Sequence, residues 1–125
     1  MIVGTGIDIT EVTRIEQAIA RFGERFLARV FTPAEIAYCK SKKNFAERFA
    51  ARFAAKEAAM KALGTGLRQG VTWKNIEVTR EPSGRPTLRF TGRANEIATQ
   101  LGARFYALSL THTEQQAMAQ VILEG

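Results

Sequence analysis

The feature that most constrains the fold is an alanine-rich segment in the middle of the chain, F-A-A-K-E-A-A-M-K at residues 53–61, closed by Gly64. Ala, Lys, Glu and Met are strong helix formers, and glycine is the usual residue just after a helix. At about 100° per residue, Phe49, Phe53 and Met60 lie on one stripe of such a helix. The pattern therefore predicts a long central helix whose large apolar stripe faces the core.

A second stripe of this helix carries two charged residues among small ones. Glu57 and Lys61 lie one turn apart, beside Ala50, Ala54 and Ala58. A Glu and a Lys at this spacing commonly form a solvated pair that contributes a few tenths of a kcal/mol. Alternatively, because methyl groups leave room on the helix surface, the stripe has space for another group beside a carboxylate and an amine. The helix alone does not decide between the two.

Composition narrows the class of protein. The length of 125 residues and an apolar content of 46% predict one globular domain with a real core. The net charge of +6 predicts an acidic partner: nucleic acid, anionic lipid, a phosphorylated ligand or an acidic protein.

Cellular location is predicted from what the sequence lacks. The one cysteine, Cys39, excludes an internal disulfide and agrees with a reducing compartment. No apolar run approaches the roughly 20 residues that a membrane-spanning helix needs, and the N-terminus lacks the basic flank of a signal peptide. We expect a cytoplasmic protein without a membrane partner.

The N-terminus predicts a strand, because β-branched residues dominate residues 2–9. Ile7 and Ile9 fall on one face, and Gly6 and Asp8 fall on the other. We expect the strand to end by presenting Asp8. Glycine in a strand often marks the close approach of a ligand or another backbone. Asp8 is then either a site residue or a turn or capping residue.

The next segment predicts a basic helix. Thr13 and Glu16 have the spacing of a capping box, which predicts a helix from there to about Val30. Its arginines fall on one face beside an apolar stripe, and this face is either simply solvated or a docking surface for an acidic helix. The arginines are Arg14, Arg21, Arg25 and Arg29.

A second capping box precedes the central helix. Thr32, Pro33 and Glu35 predict a short helix, and a basic loop then leads into the central helix, from about 45 to 63. Cations at a helix N-terminus oppose the macrodipole, a conflict that a bound phosphate would remove. The cations are therefore either a phosphate pocket or plain surface charge; they are Lys42, Lys43, Arg48 and Arg52.

The C-terminal half alternates between strands and turns. It predicts strands at 76–80, 87–90, 105–110 and 117–123, with a helix at about 93–101. The fold class is therefore α+β, with a small antiparallel sheet packed against the long central helix. His112, the only histidine, falls in the predicted turn at 111–114. It is either a solvated or capping group or a residue that contacts a phosphate or stacks on a base.

Several chemistries are excluded by missing residues. The chain has no G-x-x-x-x-G-K-[ST] phosphate loop, no Ser or Cys triad spacing and too few Cys and His for zinc. Asp8 and Glu57 remain, with Lys61 and a basic pocket. Mg²⁺ is typically held by one or two carboxylates together with substrate phosphates. The residues fit magnesium-assisted chemistry on a phosphorylated substrate.

These motifs resemble those of a known family. G-I-D-I at 6–9 resembles its G-x-D motif, and residues 53–61 match its helix motif F-x-x-K-E-[AS]-x-x-K at each fixed position. F-T-P-A-E at 31–35, G-R-P at 84–86 and S-L-T-H at 109–112 are similar to its other segments. On these motifs the chain is identified as a member of the 4'-phosphopantetheinyl transferase superfamily, and its length resembles that of the small members. Arg85 stands where the family commonly has Lys.

The resemblance implies an activity and a set of residues. The implied reaction moves the phosphopantetheine arm of coenzyme A to a serine of an apo-acyl carrier protein, in fatty acid biosynthesis. Asp8 and Glu57 would hold Mg²⁺, and Lys61 would stabilise or protonate the departing phosphate. The general base stays open among Glu57, Asp8 and a metal-bound water.

The resemblance also implies how the two substrates and the subunits are arranged. Arg14, Arg21 and Arg25 would bind the acidic carrier, and the small members of the family resemble homotrimers with the site between protomers. The remaining implied residues would bind or line the site of the nucleotide; they are Lys43, Arg52, Gly64, Gly84, Arg85, Pro86, Thr111 and His112.

Two other classes compete with this interpretation. A basic nucleic-acid-binding module would interleave aromatic residues with Lys and Arg, whereas the aromatic residues here follow core periodicity. We therefore expect no nucleic-acid partner. A coenzyme A-binding acyltransferase would need no metal, so that insensitivity to EDTA would favour it.

Overall fold

A computed structural model describes all residues from 1 to 125. The order of elements mixes strands and helices, and no helix has the length and apolar character needed to cross a membrane. The elements are β1 (Ile2–Glu11), α1 (Val12–Phe22), α2 (Glu24–Val30), α3 (Pro33–Lys40), α4 (Phe45–Leu63), β2 (Ile76–Arg80), β3 (Pro86–Phe90), α5 (Gly92–Gln100), β4 (Phe105–His112) and β5 (Gln116–Glu124).

The central helix α4 has the predicted bounds and the predicted end. Gly64 follows it in the left-handed conformation, with φ 78°, which glycine adopts without strain. The large stripe of Phe49, Phe53 and Met60 is buried, as expected. Burial continues around most of the helix, so α4 is the axis on which both hydrophobic clusters of the chain pack.

The alanine stripe of α4 is covered by β1 of the same chain. A Cβ atom at Gly6 would overlap the carbonyl oxygen of Ala58, and one at Gly4 would overlap that of Ala62. The glycines therefore do mark a close backbone approach, and the approaching backbone is α4. The room left by the small side chains is filled by this strand, so that Ala54 and Ala58 are fully buried.

Two antiparallel sheets carry the strands. The larger has the order β1-β5-β4, and the smaller is the hairpin of β2 and β3. In the larger sheet, Asp8 pairs with Ala119 and Thr111 with Met118. The predicted α+β class, with antiparallel strands packed on a long helix, is confirmed.

Strand lengths correct two expectations about the site residues. Asp8 does not end β1, because pairing with β5 continues as far as Glu11 opposite Gln116. Thr111 and His112 are not turn residues, because β4 runs to His112 and the turn begins after it. The sequence hides both extensions, since polar residues on a half-exposed strand look like the start of a turn.

The predicted basic helix is broken in two. Gly23 lies between α1 and α2 with φ 56° and ψ −134°, which no helix contains. The predicted Thr13 capping box is also absent: α1 begins at Val12, whose N–H donates to the Gln115 carbonyl at 2.9 Å. Because β1 runs directly into α1, a loop carbonyl caps the helix in place of a side chain.

The predicted capping box of α3 is confirmed and belongs to a buried polar cluster. The Glu35 carboxylate accepts from the Thr32 N–H at 2.8 Å and from the Val78 N–H at 2.8 Å. It also pairs with Lys56 Nζ at 2.8 Å, and both side chains are fully buried. Burial lowers the pKa of Lys56, and the charge of Glu35 opposes that shift. The cluster joins α3, α4 and β2.

Candidate functional site

Asp8, Glu57 and Lys61 lie together where β1 crosses α4. Lys61 Nζ is 3.2 Å from Asp8 Oδ1 and donates to the Ile7 carbonyl at 2.9 Å. The Thr10 hydroxyl donates to the other Asp8 oxygen at 3.0 Å. The Asp8 side chain is 15% exposed and that of Lys61 is 55% exposed, so the group opens to solvent on one side.

Glu57 is the unsatisfied member of this group. It forms no hydrogen bond and no ion pair, so the expected pair with Lys61 one turn away does not form. Lys61 instead pairs with Asp8. Partial burial raises the pKa of Glu57, the nearby charge of Asp8 raises it further, and the cations Arg14 and Lys61 oppose both effects. Asp8 and Glu57 therefore repel each other, and no cationic side chain pairs with both of these carboxylates.

The donor set decides what kind of ion these carboxylates suit. No group of three or more His, Cys, Asp or Glu side chains is close enough to hold a metal by itself. Two carboxylates offer hard oxygen ligands that suit Mg²⁺, with water and substrate oxygens completing its shell. A cation there would also relieve the repulsion that raises the pKa of Glu57.

A groove of about 620 Å³ begins beside this group, between α1, α2 and α4. Arg14 connects the two features, because its guanidinium lies 5.6 Å from the ring centroid of Phe53 in the groove while its charge acts on Glu57. The groove is apolar at its floor and basic at its rim. Its other lining residues include Ile15, Phe22, Arg25, Phe26 and Arg29.

The break at Gly23 changes which arginines share a surface. Arg14, Arg25 and Arg29 line the groove, although they come from two helices rather than from the single predicted helix. Arg21 does not line it; its guanidinium lies over the ring of Phe22 at 5.2 Å. Of the three arginines predicted to bind a carrier, two lie in the groove and the third lies beside it.

The predicted phosphate pocket at the start of α4 is divided. Arg48 Nε donates to Asn44 Oδ1 at 3.2 Å, within the first turn of α4. Lys43 lies in a separate cavity of about 230 Å³ that is also lined by Glu47. Arg52 and Lys42 lie elsewhere, around the ring of Tyr38. These cations therefore do not form one pocket: Arg52 and Lys42 share the Tyr38 ring, whereas Arg48 and Lys43 have other neighbours.

Gly64, which was also predicted to line the nucleotide site, lies at the end of α4, and the remaining predicted residues lie in two other places. His112 Nδ1 is 3.0 Å from Glu47 Oε1, so the histidine is paired with an acid near the start of α4, and Thr111 is exposed on the opposite face of β4. Gly84 and Arg85 form the turn before β3, and Pro86 begins β3. No hydrogen bond or ion pair connects the group at His112 to the group at Arg52.

Sequence reasoning missed the roles of three residues that organise this region: Lys56, Tyr38 and Arg80. Lys56 falls on the same stripe as Phe49 and Phe53, and a lysine on a core stripe signals a buried acid, here Glu35. Tyr38 and Arg80 had no comparable signal. They come together only through the packing of α3 against β2, which no local pattern encodes.

Comparisons with known proteins agree with this geometry. The profile of the 4'-phosphopantetheinyl transferase superfamily matches residues 4–120. The chain is 67% identical over 124 residues to the holo-[acyl-carrier-protein] synthase of Koribacter versatilis, covering 99% of both chains. It is 55% identical over 125 residues to that of Solibacter usitatus, covering 100% of both chains.

Solved structures show the same architecture. The crystal structure of the holo-[acyl-carrier-protein] synthase from Neisseria meningitidis superimposes with a TM-score of 0.90 at 34% identity, covering 100% of both chains. That from Helicobacter pylori, in complex with coenzyme A, gives 0.84 at 31% identity, covering 96% of this chain and 99% of that one. With the match extending over nearly all its residues, this chain belongs to the 4'-phosphopantetheinyl transferase superfamily.

Proposed function

We propose that this chain transfers the 4'-phosphopantetheine group of coenzyme A to a serine of an apo-acyl carrier protein. The other product is adenosine 3',5'-bisphosphate. The observation that carries the proposal is the full-length identity of 67% to a holo-[acyl-carrier-protein] synthase, in a chain whose Asp8, Glu57 and Lys61 lie together. We place the reaction in the cytoplasm and in fatty acid synthesis, and the single buried Cys39 fits a reducing compartment.

The transfer exchanges one phosphorus–oxygen bond for another. The serine hydroxyl gives its proton to a base, Glu57, Asp8 or a water molecule, and its oxygen forms a bond to the phosphorus nearer the pantetheine. The bond from that phosphorus to the oxygen shared with the nucleotide phosphate breaks. Negative charge develops on the departing bisphosphate. Lys61 has a side chain that is more than half exposed and an ammonium held by Asp8 and the Ile7 carbonyl, so it is placed to neutralise that charge or to supply a proton.

Magnesium is part of this proposal. Asp8 and Glu57 would hold the ion, and when bound it would supply charge neutralisation and orientation at the pyrophosphate. The support is chemical: two repelling carboxylates with oxygen donors only, one of them unpaired, and no third protein ligand. Substrate phosphates and water would provide the remaining oxygens.

The carrier protein would occupy the groove beside the site. Acidic carriers suit its rim of Arg14, Arg25 and Arg29, and its apolar floor suits the hydrophobic side of a helix. The groove meets the carboxylate group at Arg14, so a helix bound there brings its serine toward Glu57.

A homotrimer completes the proposal. The outer face of the β1-β5-β4 sheet carries an uncovered apolar patch: Ile7 is 54% exposed, Ile9 is 53% exposed and Met118, the partner of Ile9 on β5, is 37% exposed. An apolar patch of this kind is typical of an interface. Burial of this face against neighbouring copies would also bring exposed Thr111 next to another protomer.

Mass spectrometry of an apo-carrier protein tests the function. The chain is incubated with the carrier, coenzyme A and Mg²⁺, and the expected result is a carrier heavier by one phosphopantetheine. EDTA should abolish the gain, and added Mg²⁺ should restore it. An unmodified carrier would contradict the proposed transfer, and a gain that is insensitive to EDTA would contradict the metal.

Light scattering coupled to size exclusion tests the trimer. The wild type should elute at three times its chain mass, and Ile9→Glu should elute as a monomer, because a charge in the centre of the buried face is costly. Leu101→Glu is the control, since Leu101 is an exposed apolar residue, 39% accessible, that follows α5 and belongs to no strand of this sheet. A monomeric wild type would contradict the assembly.

A further inference from the structure

Three cations from three parts of the chain surround one aromatic ring. Tyr38 of α3 has the Arg52 guanidinium 4.4 Å from its ring centroid, the Arg80 guanidinium at 4.9 Å and Lys42 Nζ at 5.2 Å. None of the three pairs with a carboxylate. Glu35, the nearest buried acid, is already committed to Lys56. The Tyr38 ring is therefore the main counterpart that holds these like charges together.

Arg52 is an unusual member of this group because it is buried. It is 3% exposed, its Nε is buried without a hydrogen-bond partner, and its only hydrogen bond goes to the Arg48 carbonyl at 3.4 Å. It lines a cavity of about 240 Å³ together with Tyr38 and Arg80. A buried guanidinium without an acid keeps its position only if neighbouring groups fix it, and here the Tyr38 ring does so.

Arg80 extends this arrangement to the turn between β2 and β3. Its Nη1 donates to the Gly84 carbonyl at 2.6 Å, so one end of the guanidinium holds the turn while its face lies on Tyr38. Gly84 precedes Arg85 and Pro86, and all three are predicted to line the nucleotide. Tyr38 thereby connects this turn to Arg52 on α4, which is predicted to contact the same nucleotide.

We propose that Tyr38 and Arg80 are positioning residues for the nucleotide half of coenzyme A, which set the distance between the 81–85 turn and Arg52. This inference rests on the proposed function. Neither residue needs to touch the substrate: the Tyr38 ring orients both guanidinium groups, and Arg80 carries that orientation to the Gly84 carbonyl. Removal of the ring lets the turn and Arg52 move independently, which lowers the affinity for the nucleotide.

Two ring variants separate this role from general stability. Tyr38→Phe keeps the ring face and removes only the hydroxyl, which forms no hydrogen bond in the structure, so it should bind adenosine 3',5'-bisphosphate within about twofold of wild type. Tyr38→Leu removes the face and should weaken that binding about tenfold, which corresponds to about 1.4 kcal/mol. Isothermal titration calorimetry gives both values without the carrier protein.

Steady-state kinetics adds a readout that a purely structural defect would not give. Tyr38→Leu and Arg80→Ala should each raise the KM for coenzyme A severalfold while the KM for the carrier and kcat stay within about twofold. Because Tyr38 and Arg80 act through one connection, their effects should not add. The double variant should bind adenosine 3',5'-bisphosphate about as weakly as whichever single variant binds it less well. Tyr38→Phe keeps the ring and should therefore have the same kinetic constants as wild type.

The outcomes also distinguish the two proposals. If wild type transfers phosphopantetheine but Tyr38→Leu binds the bisphosphate normally, or if the two single effects add, the positioning role is overturned. An equal rise in both KM values would overturn it as well. If Tyr38→Leu fails to fold, the exposed Arg80 still supplies the test through Arg80→Ala. If wild type neither binds the bisphosphate nor modifies a carrier, the proposed function itself fails.

Discussion

Lys56 and Glu57 are neighbours on α4, yet the structure treats their charges in opposite ways. Lys56 is fully buried, and its ammonium has three acceptors: Glu35, the Trp73 carbonyl at 3.2 Å and the Ile76 carbonyl at 2.5 Å. Glu57 is half-buried, accepts nothing and repels Asp8. One helix therefore carries a satisfied charge on its inner side and an unsatisfied charge next to it.

The difference separates a charge that stabilises the fold from one available for chemistry. An ammonium has three N–H donors, and the three acceptors of Lys56 leave it nothing for a substrate. A carboxylate whose pKa is raised by burial and by a second carboxylate favours a cation or a proton. Perturbed and unpaired groups of this kind concentrate at functional sites, whereas satisfied buried pairs are part of the core.

The largest effect should be a loss of catalysis on substitution of Glu57 or Asp8. Glu57→Gln and Asp8→Asn should each lower kcat about a thousandfold or more, roughly 4 kcal/mol in the barrier, while the melting temperature stays close to that of wild type. The reason is that each amide keeps the side-chain shape but loses the charge. Stopped assays with mass detection and circular dichroism measure the two quantities. Full magnesium-dependent turnover in either variant would contradict the proposal that Glu57 and Asp8 hold the metal.

Substitution of the buried Lys56 should instead lower the stability of the fold. Lys56→Met leaves Glu35 buried without a cation, which should lower the free energy of unfolding by about 3–5 kcal/mol, measured by urea denaturation. Adding Glu35→Leu should recover only part of this, because the Thr32 and Val78 N–H groups then lack an acceptor. If Lys56→Met were as stable as wild type but inactive, the contrast with Glu57 would be wrong.

Charge reversals on the basic surface beside the site should affect binding of the carrier. Arg25→Glu should raise the KM for the carrier about tenfold and leave that for coenzyme A nearly unchanged, because Arg25 lines the groove. Arg21→Glu is the matched control on the same basic surface; it should change the carrier KM only two- to threefold, since Arg21 lies over Phe22 outside the groove. Equal effects of the two reversals would mean that the groove does not determine docking.

The smallest effect concerns pH and stability. Because the pKa of Glu57 is raised in the folded chain, the folded state binds its proton more readily than the unfolded state does. Glu57 thus favours folding at low pH, and this contribution is lost as the pH rises through its folded-state pKa. Without Mg²⁺, Glu57→Gln should be slightly more stable than wild type at pH 7, and the gain should disappear in acid. Thermal unfolding across pH 4–8 measures the difference.

The sequence determined the elements whose signals are local. The bounds of α4, its end at Gly64 and the capping box at Thr32 follow from residue types at fixed spacings, and each is confirmed. The juxtaposition of Asp8 with Glu57 was a prediction from the family motifs, and the structure brings the two together. Whether they hold magnesium stays a prediction for the experiments above.

Tertiary structure decided what depends on residues far apart in the chain. β1 covers the alanine stripe because Gly4 and Gly6 let two backbones meet, and pairing with β5 extends that strand past Asp8. The φ of 56° at Gly23 splits the basic helix, yet packing on α4 returns Arg25 to the groove.

The physical reason for this division is the range of the interactions. Helix propensity and capping act within about four residues, so a single segment such as Thr32–Glu35 or Phe45–Leu63 encodes them. Strand pairing, burial of a charge and the gathering of cations around Tyr38 depend on which surfaces meet. Those meetings are fixed only when the whole chain packs around α4.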